Sequence, residues 1–435
     1  MKKYLVLLPF FLISNVCSSQ FSGGSGTEQD PYRITSKQDL EALDDSVRAS
    51  DNWSRNKYFK LMDDIDDTKT VIGYARNTYD FTYCFQGNFN GNNKKIILAI
   101  DGKKALFNDR WITISNNFIG LFSAIYKANI YDLVTEGYVN GYDFVGSICG
   151  YSQESNISNC INKSNINNTE YVTNHIGGFS GYAYVTNFLN CINFGNIKGR
   201  DKIGGISGES PSSNVKNCVN YGNVIGSELA GGICGCLFGG SNLLNCVNYG
   251  NIIGKSIYAG GITGFCGYNV NVSNCKNEGN IVGNKAVGGI TGCFGGNGTD
   301  LLSELLNCVN SGNIIGISGV GGISGHLHYG DKIFHCINIG TVQADSIVGG
   351  VVGGSDDDNS YFDSTGNIYN SVNSGLVVGK DIVGGIMGRC FGEIRNCINT
   401  SVVKGNTKWG CIVGENNGGT IINCHYDKQV CGGGE

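Results

Sequence analysis

Proline is almost missing from this chain, with three residues in 435, and Asp, Glu, Lys and Arg together supply only 15% of it. So few prolines, beside 68 glycines that follow no Gly-X-Y period, exclude a collagen-like rod. No run or stripe of Lys and Arg occurs, which removes the electrostatic footprint of a nucleic-acid-binding protein. The formal net charge of −5 favours solubility and identifies no partner. No apolar run reaches the roughly 20 residues that a membrane-spanning helix needs. The 41% hydrophobic share in turn excludes a disordered Gly-rich tract. What is left is a fold in which glycine recurs at fixed tight corners, so internal repeats are the first thing to look for.

The N-terminus reads as a secretory signal over residues 1–19. Lys2 and Lys3 form a basic start, Tyr4 to Ile13 is apolar but for Pro9, and Ser18 and Ser19 are small residues where cleavage is expected. A lipid on Cys17 is the alternative, though Ser14-Asn15-Val16 is a poor lipobox.

From about residue 117 to 427 one pattern recurs: "NC(I/V)N", a Gly-Asn-(Ile/Val) step, a variable link, then "GGI(S/T/C)G". The Asn-Cys step places Cys at 160, 191, 218, 246, 275, 308, 336, 397 and 424, and Ser371 stands in the series between Cys336 and Cys397. Paired glycines keep the same beat, from Gly177-Gly178 to Gly384-Gly385, with imperfect versions at Gly146-Ser147 and Gly410-Cys411. Each unit, such as 243–265 with "LLNCVN", "GNIIG" and "AGGITGF", holds short Ile- and Val-rich segments bounded by Gly and Asn. Strands of three to six residues cannot bury their apolar face within one unit, whereas stacked units can. Glycine every few residues also opposes helix, at about 1 kcal/mol each. The expected fold is all-β, a parallel β-helix of about ten coils, right-handed by the general preference of parallel connections. The paired Gly read as positions of φ > 0 or close approach. The Asn reads as a hydrogen-bond ladder and the Cys as a small buried hydrophobe.

Residues 20–116 differ and read as an N-terminal cap with first coils. Ser36 and Asp39 predict the start of a short amphipathic helix over about 36–49, with Leu40, Leu43 and Val47 on one face, closing the solenoid end. Segments 58–66, 84–100 and 118–133 read as strands with tight Asn-Gly turns. Residues 428–435 form a tail.

The ordered segments "GGSGTEQDPYRITSKQDLEAL", "YFKLMDDID", "FQGNFNGNNKKI" and "IGLFSAIYKANIYDL", the repeats behind them and the closing "NCHYDKQ" resemble GLUG-motif surface and secreted proteins. The resemblance covers nearly the whole chain after the signal. It implies a parallel β-helix on a secreted or surface-exposed protein with an adhesive or binding role. Related repeats precede the catalytic part of immunoglobulin A-cleaving metallopeptidases, but this chain has no His-Glu-x-x-His.

Several residues compete for chemical roles. Nineteen Cys, 18 of them after the signal, fit either disulfides or a column of inward thiols. Rungs about 4.8 Å apart are closer than the usual 5.5–6 Å Cα separation of a disulfide, which favours thiols in the column. Off the column, Cys234, Cys236, Cys266, Cys293 and Cys390 are better placed to pair, and Cys234-x-Cys236 lacks a second pair for zinc. His326, His328 and His335 with Asp331 could face a metal, or form an ordinary exposed strand and turn. Asp356-Asp357-Asp358 reads as a solvated loop, with calcium as the alternative. Sequons at Asn52, Asn156, Asn162, Asn167, Asn271, Asn297 and Asn399 matter only in a eukaryotic host.

No two carboxylates stand at one phase of adjacent coils with a basic partner, and no nucleophile elbow is present. The expectation is therefore no catalytic, cofactor or metal residue, and a non-catalytic secreted or cell-surface rod that binds a glycan or protein ligand. Its rivals are a carbohydrate-active β-helix enzyme and a spacer with no ligand of its own. An ice-binding face ranks last, because no Thr-x-Thr ladder occurs.

Overall fold

In the computed structural model, residues 21–75, 80–102, 118–168, 174–296, 302–328, 330–354 and 366–432 are described. Among them the strands pair in parallel, each with its counterpart one coil away, and build an all-β solenoid. One sheet of 14 strands takes a strand from every coil, which makes about 13 turns. The count exceeds the ten read from Asn-Cys steps because four more rungs precede them: Tyr32–Ile34, Tyr58–Leu61, Asn88–Asn90 and Asn129–Tyr131. None of the four is followed by an Asn-Cys step, and phenylalanines fill much of the core beneath them. Phe59, Phe85, Phe89 and Phe122 pack ring against ring at 4.7–6.4 Å.

A single coil shows the logic. Asn242–Leu244 belongs to the 14-stranded sheet, with Leu243 inward. The chain turns at Asn245, whose φ is +55°, and Cys246 drops into the core. Val247–Asn248 and Ile252–Gly260 run along a second, 31-stranded sheet. After Gly260-Gly261 the chain doubles back as Thr263–Cys266 in an eight-stranded sheet, and the next coil opens at Asn271.

Asn carries the left-handed corner in this protein, more than Gly does. Asn159, Asn190, Asn217, Asn245, Asn274, Asn307, Asn370, Asn396 and Asn423 all have φ between +49° and +55°. Their counterparts Asp132 and His335 share the conformation, as do only the residue types that tolerate it best. The paired glycines serve close approach alone: none has positive φ, but a Cβ on Gly232 would lie 2.1 Å from the Gly261 carbonyl oxygen.

The second Asn of each "NC(I/V)N" is the buried one. Asn162, Asn193, Asn220, Asn248, Asn277, Asn310, Asn338, Asn373 and Asn399 are fully inaccessible, and each amide but the last donates to the next coil's amide oxygen at 2.7–2.9 Å. The other N–H of Asn248 goes to the Gly250 carbonyl at 2.8 Å. Ile and Val fill the remaining inward columns, among them Ile252, Ile281 and Ile314, each contributing about 1.5–3 kcal/mol by burial.

The cap forms as expected. Lys37–Ala49 is helical, with Ser36 accepting from the Asp39 N–H at 3.3 Å and Leu40, Leu43 and Val47 buried. Asp39 does not close a capping box onto Ser36 N–H; it accepts from Thr35 N–H at 2.8 Å and Ser22 N–H at 3.0 Å, tying the entering chain to the helix. The Asn-Gly stretch at 90–93 is a corner, not a hairpin: Tyr58–Lys60 pairs in parallel with Asn88–Asn90, and Ile65 with Ile96. Among the described residues no helix is long and apolar enough to cross a membrane.

Replacing Asn248 by Leu leaves the Asn220 donor and the Asn277 acceptor without partners, at about 1–3 kcal/mol for each orphaned group. Chemical denaturation should show a larger loss for Asn248→Leu than for Asn242→Ala on the surface. Equal losses would mean that the buried ladder contributes no more than an exposed one.

Candidate functional site

The thiol column is the first candidate to resolve. Cys160, Cys191, Cys218, Cys246, Cys275, Cys308, Cys336, Cys397 and Cys424 are free thiols, all but Cys424 fully buried. They donate to the carbonyl two residues back, as Cys160 does to Ser158 at 3.2 Å. Ser371 keeps this bond to Tyr369 at 2.9 Å, which is why Ser can replace Cys there. Burial holds Cys160 and Cys191 well above the usual thiol range, so they are small core residues and not nucleophiles.

The off-column cysteines do not pair. Cys234, Cys236, Cys266, Cys293 and Cys390 are all free. Cys236 and Cys293 share a column but stand two rungs apart, with Phe265 between them. The disulfide joins Cys411 to Cys431 instead, Cα atoms 5.9 Å apart, and fastens the C-terminal tail to the last coil.

The histidine group is dispersed. His335 occupies the corner position of the Asn ladder and meets the Asn370 amide at 3.0 Å. His328 is buried against Cys293, with Nε2 3.0 Å from Sγ. Burial pushes His328 down to about 4 and the Cys293 thiol well up, so the pair is neutral and unlike a thiolate–imidazolium nucleophile. Asp331 is raised to about 7 by burial, opposed by the Ser303 N–H that donates to it at 2.6 Å. Among the described residues no group of three His, Cys, Asp or Glu is placed to hold a metal ion. Asp356-Asp357-Asp358 and Asn297 lie outside the described residues. Asn162 and Asn399 are fully buried in the ladder, which excludes them as glycan acceptors.

Sequence reasoning missed a titratable cluster. The residue two before each first glycine and the residue four after each second glycine face one another across the doubled-back corner. Phe144 and Tyr151 meet this way at 6.4 Å, His175 and Tyr182 at 5.7 Å, and His175 stacks on Phe144 at 4.5 Å. In the next coils His175 lies between two carboxylates, Nδ1 3.2 Å from Asp143 and Nε2 3.0 Å from Glu209, and Lys202 pairs with Glu209 as well. Burial alone would lower His175, but its bonds to Asp143 and Glu209 raise it. Burial alone would raise Glu209, but His175 and Lys202 hold it down. Aligning the repeats on the paired glycines, and not on Asn-Cys, would have put Lys202 and Glu209 in facing columns.

The outward columns complete the candidates. On the 31-stranded sheet Phe194, Tyr221 and Tyr249 form an exposed stack with centroids 4.9 Å apart and planes within 5°. Beside them Ile253, Val282 and Ile315 make an aligned exposed column, 39–47% accessible. On the 14-stranded sheet Asn88, Asn129, Asn156, Asn187, Asn214, Asn242 and Asn271 form an exposed amide ladder at 2.7–3.2 Å.

No protein-family model matches the chain. An alignment 161 positions long, covering 31% of the chain, is 28% identical to Halomucin of Haloquadratum walsbyi (strain DSM 16790 / HBSQ001) and spans 2% of that protein's length. The chain is also similar to a crystal structure of a candidate immunoglobulin A1 protease from Bacteroides ovatus, at 18% identity and a TM-score of 0.39, over 81% of this chain and 87% of that one.

Two measurements test these assignments. Of the 16 free thiols among the described residues, all but Cys424 should resist an aromatic disulfide reagent in the folded protein, and all should react in guanidinium; rapid labelling of several in the folded state would contradict a buried column. Glu209→Gln should cost about 3 kcal/mol by stranding His175 and Lys202. The raised His175 stabilises fully below its ordinary 6.5 and fades as pH rises through its folded value. The lowered Glu209 stabilises above its ordinary 4.5 and fades as pH falls. The deficit of the variant should thus be largest between about pH 4.5 and 6.5, and a deficit that grew steadily in either direction would rule out the paired state.

Proposed function

We propose that the chain is a GLUG-motif repeat protein that acts outside the cell as a non-catalytic, adhesin-like binding rod. The observation that carries this reading is the exposed ring stack of Phe194, Tyr221 and Tyr249, with the exposed row Ile253, Val282 and Ile315 continuing into the later coils across the Asn251 column. Large apolar side chains held in exposed, aligned rows on one side of the rod mark an interaction surface, whereas singly scattered ones would need no explanation. The signal-like residues 1–19 support an extracellular location.

The test is binding of the full chain to glycan and extracellular-matrix arrays, beside the triple variant Phe194→Ser, Tyr221→Ser, Tyr249→Ser. The expected result is capture of a matrix protein or glycan by the parent chain and at least about tenfold weaker capture by the variant, the loss of roughly 1.4 kcal/mol. Turnover of any arrayed polysaccharide would replace this reading with the enzymatic one.

A further inference from the structure

The outward amide ladder of the 14-stranded sheet does not run to the N-terminal end. At the second rung Tyr58 takes the place that Asn88 and Asn129 hold on the next two. There the loop 26–31 rises beside the sheet and encloses a notch of about 370 Å³. Its floor is the outward column Arg33, Lys60, Asn90 and Tyr131, one residue from each of four successive rungs. Its walls are Tyr58 and the loop, which brings Glu28 and Asp30.

The notch is built, not merely open. The loop is pinned by the N–H groups of Ser25 and Gly26 donating to the Asp30 carbonyl at 3.0 Å, and by Tyr58 N–H donating to the Gly26 carbonyl at 3.0 Å. Gly26 has φ +78°, and a Cβ there would lie 2.4 Å from the Tyr32 ring, so the loop follows a path open only to glycine.

The chemistry of the lining selects a class of ligand. Two carboxylates, Glu28 and Asp30, balance two cations, Arg33 and Lys60, with Arg33 lying 3.6 Å from Asp30. A net-neutral ring of separated donors and acceptors fits vicinal hydroxyls, which donate and accept at once, better than it fits a single strong charge. The two phenol rings supply apolar faces for the C–H side of a pyranose and hydroxyls for its rim. A volume of about 370 Å³ lies at the small end of ligand sites and holds one or two sugar rings. Beyond Tyr58 the ladder from Asn88 to Asn271 offers an outward amide at every rung, along which the rest of a chain would lie.

We infer that this notch binds the terminal neutral hexopyranose of a glycan. The inference rests on the binding-rod reading and assigns it a ligand class. The test uses the full chain and titrates methyl glycosides of glucose, galactose and mannose, with sialyllactose as an anionic comparator, followed by calorimetry. The variants are Tyr58→Ala and Asp30→Asn, with Lys216→Ala, far along the sheet, as control and thermal melts to confirm folding. The expected result is binding of a neutral glycoside by the parent and Lys216→Ala proteins and about tenfold weaker binding in both notch variants, equivalent to one or two lost hydrogen bonds. Equal binding in the folded notch variants, or binding of sialyllactose alone, would overturn it. Capture of matrix protein without any sugar binding would also overturn the notch while leaving the rod reading intact.

Discussion

A buried primary amide needs partners for two N–H groups and for its oxygen, and in this protein one repeating coil supplies them all. Asn248 gives one hydrogen to its own coil at Gly250 and the other to Asn277 of the next, while its oxygen receives from Asn220. An arrangement of this kind has one correct register. Slipping a coil by a single residue would put an aliphatic side chain opposite an amide and strand both of its neighbours. Hydrophobic columns of Ile and Val would tolerate several registers, since one β-branched residue packs against another nearly as well as a third. The buried ladder therefore acts as the gauge to which the other columns conform.

The glycine and cysteine columns follow from that gauge. Once the rungs are locked at one spacing, the doubled-back corner at Gly260-Gly261 must pass its backbone within contact of the next coil, and only a residue without Cβ can do so. Cysteine fits the bend behind Asn245 because its thiol is small and can return a weak hydrogen bond to the chain it has just left. The seam is where the rule is broken: His175, Lys202 and Glu209 neutralise one another across neighbouring coils, and Arg389, Lys408 and Glu415 do so at the same positions near the C-terminal end, where most other coils carry hydrophobic or small residues.

Much of this was legible from the residues. The parallel solenoid, its period, the capping helix with Ser36 and the inward thiols all follow from regular spacing and elementary burial. The roles of the two Asn in "NC(I/V)N" were not separable, because either could ladder; only the backbone shows that Asn245 turns the corner and Asn248 enters the core. The first rungs carry no repeat signature, since Leu133 stands there at the Cys position and Thr135 and Ile96 at the ladder position, and the coil count from the motif falls short for that reason. The His326, His328 and His335 group looked like one site because sequence neighbours on a strand share a face, but a corner at His335 and burial at His328 separate them. The notch at Tyr58 left no motif at all: its residues come from four rungs and a loop, and proximity there is a product of stacking.

The Cys411–Cys431 bond has a mechanical meaning for a rod that holds on to something. Tension arriving along the tail crosses the disulfide to Cys411 and bypasses the residues in between. It enters the sheet beside Gly410, whose carbonyl is held by the Gly385 N–H of the preceding coil. The residues between the two cysteines, among them the one-sided strands Thr420–Ile422 and His425–Tyr426, are thereby taken out of the load path, and a pull on the tail meets the last coil at Gly410, where it is bonded to the coil before it.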